Sequence, residues 1–135
     1  MKPRFTALAT LAALALGLAA PAAEADVFRA SNSLLVQSDN GVDIFVPYAP
    51  RALDNAYWCA AGDYVVIRQG RSGRTRLFRA SEPPRKRGQG IVFTTDPARA
   101  AKNSGLTVFG SPDGTISAGQ ARSSFCHQDP IFGFP

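Results

Sequence analysis

Ala52-Leu53-Asp54-Asn55-Ala56-Tyr57-Trp58-Cys59-Ala60-Ala61-Gly62-Asp63-Tyr64-Val65-Val66-Ile67-Arg68-Gln69 is the stretch on which the fold turns. Leu53, Ala56, Tyr57, Ala60, Tyr64 and Ile67 fall at spacings of three and four, which aligns them on one stripe of a helix. Pro50 ahead of the stretch and Gly70 behind it suit a start and a stop. Gly62 costs about 1 kcal/mol relative to Ala inside a helix, so a bend or an end at that point, with residues 64–67 as a strand, is the competing reading. The helix is the expectation. Tyr57, Trp58 and Tyr64 beside a cysteine read as the bulky part of a core; only a Trp58 exposed in a cleft would read as a ligand platform.

On the N-terminal side, residues 33–38 and 42–46 are short aliphatic runs separated by Asp39-Asn40-Gly41, a triplet that accepts positive φ and reverses the chain, so they read as a hairpin. On the C-terminal side, residues 74–80 and 90–95 read as strands joined by a polar, Pro-rich connection over 81–89. Residues 97–102 suit one helical turn, 106–110 a further strand, and Ser111-Pro112-Asp113-Gly114 a tight turn. Ser117 suits the N-cap of a short helix over 118–126. The tail from Asp129 to Pro135 has too many breakers to be helical. It carries Ile131, Phe132 and Phe134, which pack over the sheet or form an apolar strap for a partner. The expected fold is α+β: an antiparallel sheet of four to five strands, a central helix carrying Cys59, and a short C-terminal helix carrying Cys126.

The chain has 135 residues with 15 Lys+Arg against 10 Asp+Glu, a formal net charge of +5. Residues 1–25 form a separate object. Lys2 and Arg4 precede 19 uncharged residues, and Ala23-Glu24-Ala25 places small residues where a signal peptidase reads them. The expectation is a signal peptide over 1–25 with cleavage before Asp26; cleavage after Ala22 is the second choice and a retained anchor the alternative. Residues 26–135 then form a single small domain with 13 basic against 9 acidic residues, a balance of +4. That composition excludes a disordered tail, a multidomain protein and a polytopic membrane protein. Export places the domain in the periplasm or outside the cell. Cys59 and Cys126, the two cysteines, would there pair as one disulfide. Closing a loop of about 67 residues removes on the order of 4 kcal/mol of unfolded-chain freedom, comparable with the whole stability of such a domain. The rival is a reactive thiol or a metal site with His127, but two Cys and one His are one ligand short and no Cys-x-x-Cys occurs. No metal or cofactor is expected.

Arg68, Arg71, Arg74, Arg76, Arg79, Arg85, Lys86 and Arg87 stand against the single acid Glu82, the strongest local anomaly in the chain. Arg74 and Arg76 share one face of the expected strand and Arg79 takes the other, while Arg85-Lys86-Arg87 sits on the hairpin tip. Guanidinium groups bind phosphate or carboxylate bidentately, which suits phosphorylated lipid head groups, an acidic polysaccharide or an acidic protein. Export argues against nucleic acid, and Phe78 and Phe93 are too few aromatics for a single-strand binder. A solvated basic rim that keeps the protein soluble accounts for the charge equally well.

Catalytic patterns are missing: the sequence holds no Gly-x-Ser-x-Gly, no His-Glu-x-x-His and one histidine. Gly70-Arg71-Ser72-Gly73-Arg74-Thr75 lacks the lysine and spacing of a phosphate loop. A non-catalytic binding or accessory domain is expected, with a protein-interaction or inhibitor module as the alternative. A small thiol or hydrolytic enzyme built on His127 is the second alternative.

Tyr57-Trp58-Cys59-Ala60-Ala61-Gly62-Asp63-Tyr64, with a second cysteine near the end of a short exported chain, resembles a pattern in small periplasmic bacterial proteins that have no established activity. The resemblance implies one domain, export and the disulfide, and implies no substrate.

Overall fold

The computed structural model describes residues 25–106 and 115–127, together with Gly17. The leader, most of the strand expected over 106–110, the turn at 111–114 and the tail from Asp129 lie outside the described residues. The elements are β1 (Asp26–Arg29), β2 (Leu35–Ser38), β3 (Asp43–Val46), α1 (Asp54–Asp63), a π-helical turn (Tyr64–Arg68), β4 (Arg76–Arg79), β5 (Ile91–Thr94), a 3-10 turn (Pro97–Arg99), β6 (Ile116–Ser117) and α2 (Ala118–Phe125). The class is α+β as expected. The sheet has six antiparallel strands rather than four to five, in the order β1-β2-β3-β5-β4-β6. The two strands that the sequence left unread are the edges. β1 pairs residue for residue with β2, from Asp26 opposite Ser38 to Arg29 opposite Leu35, and β6 is two residues against β4. Asp26-Val27-Phe28-Arg29 does not alternate apolar and polar residues and two residues cannot show a period, so pairing to a neighbour supplies what the local pattern does not.

Strand alternation sends Val36, Ile44, Val46, Leu77, Ile91 and Phe93 inward, where α1 covers them. Residues 57–65 are buried without a break, because α1 lies between the sheet on one side and α2 on the other. A helix enclosed all round needs no apolar stripe. The stripe read from the sequence accordingly fails at its ends: Leu53 is 74% exposed and Ile67 51%. Trp58 is buried and packs edge-to-face on Phe93 with ring centroids 4.8 Å apart, a core role in keeping with the sequence.

The helical reading of 64–68 holds in a modified form, since α1 runs on into the π-helical turn with no strand. Gly70 follows at φ +65°, a position that favours glycine at a helix exit. Gly62 does not end the helix. A Cβ there would stand 2.8 Å from the Ala118 carbonyl oxygen and 3.1 Å from the Ala121 Cβ, so the glycine lets α2 lie directly on α1. Ser117 caps α2 as expected, its Oγ accepting from the Gln120 N–H at 3.1 Å. Cys59 in α1 is bonded to Cys126 at the end of α2, with Cα atoms 5.0 Å apart, and no described cysteine is free. No helix among the described residues is long and apolar enough to cross a membrane.

Candidate functional site

The basic run divides once the chain is folded. Arg68 ends the π-helical turn and meets Asp26 at the start of β1, its Nη2 2.6 Å from Oδ1. Tyr64, one turn earlier, donates its hydroxyl to the other carboxylate oxygen at 3.0 Å. The Arg68 guanidinium holds the Asp26 carboxyl below its ordinary range against the opposing effect of burial, and the Tyr64 hydroxyl adds to the lowering. Burial pushes the Tyr64 phenol up, and the adjacent Asp26 charge adds to it. Arg71 donates to the Thr95 hydroxyl at 3.2 Å.

Arg79 and Arg85 converge on Asp54, the first residue of α1. Arg79 takes the inward face of β4, opposite Arg76 as the alternation requires, but that face is the core: its side chain is 1% exposed. It therefore leaves the set of residues able to reach an external anion. Its Nε donates to the Ser81 carbonyl at 2.9 Å and its Nη1 lies 3.3 Å from Asp54 Oδ2. A buried guanidinium needs such a partner to offset lost hydration. Arg85 reaches the same carboxylate from the connection between β4 and β5, Nε to Oδ1 at 3.2 Å. Its planar group lies over the Tyr57 ring at 4.8 Å and near Tyr48 at 5.7 Å, and it donates to the Ala52 and Gln89 carbonyls. The hairpin tip and the loop preceding α1 are thereby fastened together.

Five cations of the run remain: Arg71, Arg74 and Arg76 before or at the start of β4, and Lys86 and Arg87 at the hairpin tip. All are exposed, and none makes an ion pair among the described residues. Arg76 opens β4 and the hairpin tip lies beyond its end at Arg79, three rises or about 10 Å further along the strand. They are two patches, not the single surface that their closeness in sequence suggests.

The disulfide has its own surroundings. Asp63, one turn beyond Cys59 in α1, is fully buried. Its Oδ1 accepts from Arg122 Nε at 2.7 Å and lies 3.7 Å from Cys126 Sγ, while Oδ2 accepts from the Ser31 N–H at 2.8 Å. This carboxylate joins α1, α2 and the end of β1. Ser123 and His127 line the shallow cleft of about 310 Å³ above it. Cys59, Asp63 and Cys126 bring ligand-type atoms within 4.8 Å of one another. Both sulfurs are spent in the disulfide, which leaves a carboxylate already bonded to Arg122 and Ser31. That donor set does not fit a metal ion.

The sequence reading missed the two organising acids, Asp54 and Asp63. The available signal for Asp63 was its i+4 spacing from Cys59, which places both on one helix face. For Asp54 it was an acid at the start of a helix, where the dipole favours it. A comparison of the chain with protein-family profiles, with curated proteins and with solved structures finds no match.

Proposed function

We propose that the chain is an exported, non-catalytic binding or accessory domain of the bacterial envelope. It contacts an anionic ligand or an acidic partner through the exposed cations of its basic hairpin region. The observation that carries this reading is charge left over after internal pairing. Asp26 is taken by Arg68, and Asp54 by Arg79 and Arg85, so Arg71, Arg74, Arg76, Lys86 and Arg87 have no carboxylate of their own among the described residues. Exposed guanidinium and ammonium groups held on a disulfide-linked scaffold suit phosphate, sulfate or carboxylate.

The test is retention on a soluble polyanion such as dextran sulfate as ionic strength rises. Contact through exposed charges is screened within about 10 Å at 0.1 M salt, so retention should fall steeply and be lost by about 0.5 M. Retention that ignores salt, or no retention at low salt, would count against the reading.

A protein-interaction module is the second reading. It is favoured by apolar side chains on the outer sheet face: Val27 is 54% exposed, Leu35 38% and Phe45 39%. Val27→Ser/Phe45→Ser should then abolish partner capture while leaving dextran sulfate retention intact.

A further inference from the structure

The anionic-ligand reading can be narrowed, and the narrowing rests on it. Arg85 fastens the loop before α1 to the hairpin tip, and one end of the molecule therefore carries Tyr48, Arg51, Leu53, Lys86 and Arg87 together. Arg51, Lys86 and Arg87 are exposed and make no ion pair among the described residues; Leu53 is 74% and Tyr48 45% exposed. Two of these residues occupy positions where local physics favours another choice. Pro50 and Arg51 are the central pair of the turn closed by the Ala52 N–H to the Ala49 carbonyl, and Arg51 adopts φ +66°, where glycine is the usual occupant. Leu53 holds the N-cap of α1 without a side-chain cap bond, where Ser, Thr, Asp or Asn would satisfy a free backbone N–H. Both exceptions lie on this one surface.

We propose that this rim docks on an anionic phospholipid bilayer, with Arg51, Lys86 and Arg87 on the phosphates and Leu53 and Tyr48 in the interfacial layer beneath them. Charge alone would serve an acidic polysaccharide, but a polysaccharide offers no hydrocarbon to Leu53. A stable interface with an acidic protein would engage about 20–30 residues on this side, where this rim presents five. A bilayer needs only basic residues near its surface and a few apolar anchors, with a ringed amphipathic side chain at head-group depth.

The experiment compares cosedimentation with phosphatidylcholine vesicles, the same vesicles containing phosphatidylglycerol, and retention on dextran sulfate. Wild type should bind the anionic vesicles and not the neutral ones. Lys86→Glu/Arg87→Glu should lower binding to both anionic probes more than tenfold, since each basic residue near an anionic leaflet is worth about fivefold. Leu53→Ser should lower vesicle binding roughly tenfold, as expected for removing a partly inserted Leu, and leave dextran sulfate retention unchanged. Serine is the better N-cap, so a preserved or raised melting temperature shows that this loss is not unfolding. Leu53→Trp should give a blue-shifted emission on anionic vesicles, against the constant background of buried Trp58. Unchanged vesicle binding in Leu53→Ser, or no emission shift, overturns the bilayer assignment while the broader anionic reading stands. Failure of wild type on both anionic probes overturns both.

Discussion

Gly62→Ala sets local preference against tertiary packing with opposite signs. By helix propensity alone the substitution stabilises, by about 1 kcal/mol, because glycine is the more flexible residue in the unfolded chain. The structure opposes this. The new methyl would sit 2.8 Å from the Ala118 backbone oxygen and 3.1 Å from the Ala121 Cβ, and neither belongs to a flexible side chain that can swing away. The helices cannot part freely, since Cys59, three residues before Gly62, is bonded to Cys126 at the end of α2. Overpacking of this kind costs about 1–3 kcal/mol. Because the clash involves backbone, its upper half applies and the net is a loss of about 1–2 kcal/mol. For a domain of this size that lowers the melting temperature by roughly 4–12 °C, read by circular dichroism on the oxidised protein. Ala121→Gly in the same background should recover part of the loss, as neighbouring sites are coupled. A melting temperature equal to or above wild type in Gly62→Ala would refute the packing argument.

Further outcomes follow from the same contacts. Asp54→Ala leaves the buried Arg79 guanidinium without its ion pair and should cost about 2–3 kcal/mol by urea denaturation, less than for a fully buried pair because Asp54 is 40% exposed; a loss under about 0.5 kcal/mol would show that hydration already satisfies Arg79. Reducing the disulfide, or Cys59→Ala/Cys126→Ala, should remove about 4 kcal/mol and leave the domain largely unfolded at 37 °C, checked by near-ultraviolet dichroism with and without dithiothreitol. Asp26 titrates lower in the folded chain than its ordinary 3.8, so its contribution is complete above that value and is lost as pH falls through the folded pKa. Asp26→Asn should flatten the acid limb of a stability–pH curve at low salt; an unchanged limb would assign acid sensitivity to other carboxylates. Tyr64 titrates above its ordinary 10.0, so the alkaline titration followed at 295 nm should lose a late-ionising component in Tyr64→Phe; an unchanged curve would count against the Asp26 contact.

Several elements are legible because their signals are local. The hairpin around Asp39-Asn40-Gly41, the Ser117 cap and the exit at Gly70 depend on φ preferences and side chains within four residues. The central helix is legible in existence but not in its surroundings. Its stripe assumes one wet face, and two covering layers removed that face from water. Gly62 looked like a weakness for the same reason: the carbonyl it admits belongs to Ala118, 56 residues away.

Composition and spacing alone determined an α+β domain, a long helix in its middle and a cysteine pair suited to an oxidising compartment, because each rests on residue types or on neighbours along the chain. Only the tertiary structure decided what the basic run can do. Charges adjacent in sequence repel alike, and which of them stays free depends on where the carboxylates fold. Asp54 lies 25 residues from Arg79 and 31 from Arg85, and Asp26 lies 42 from Arg68. Those separations turn one run of eight into three pinned arginines and two exposed patches at opposite ends of a strand.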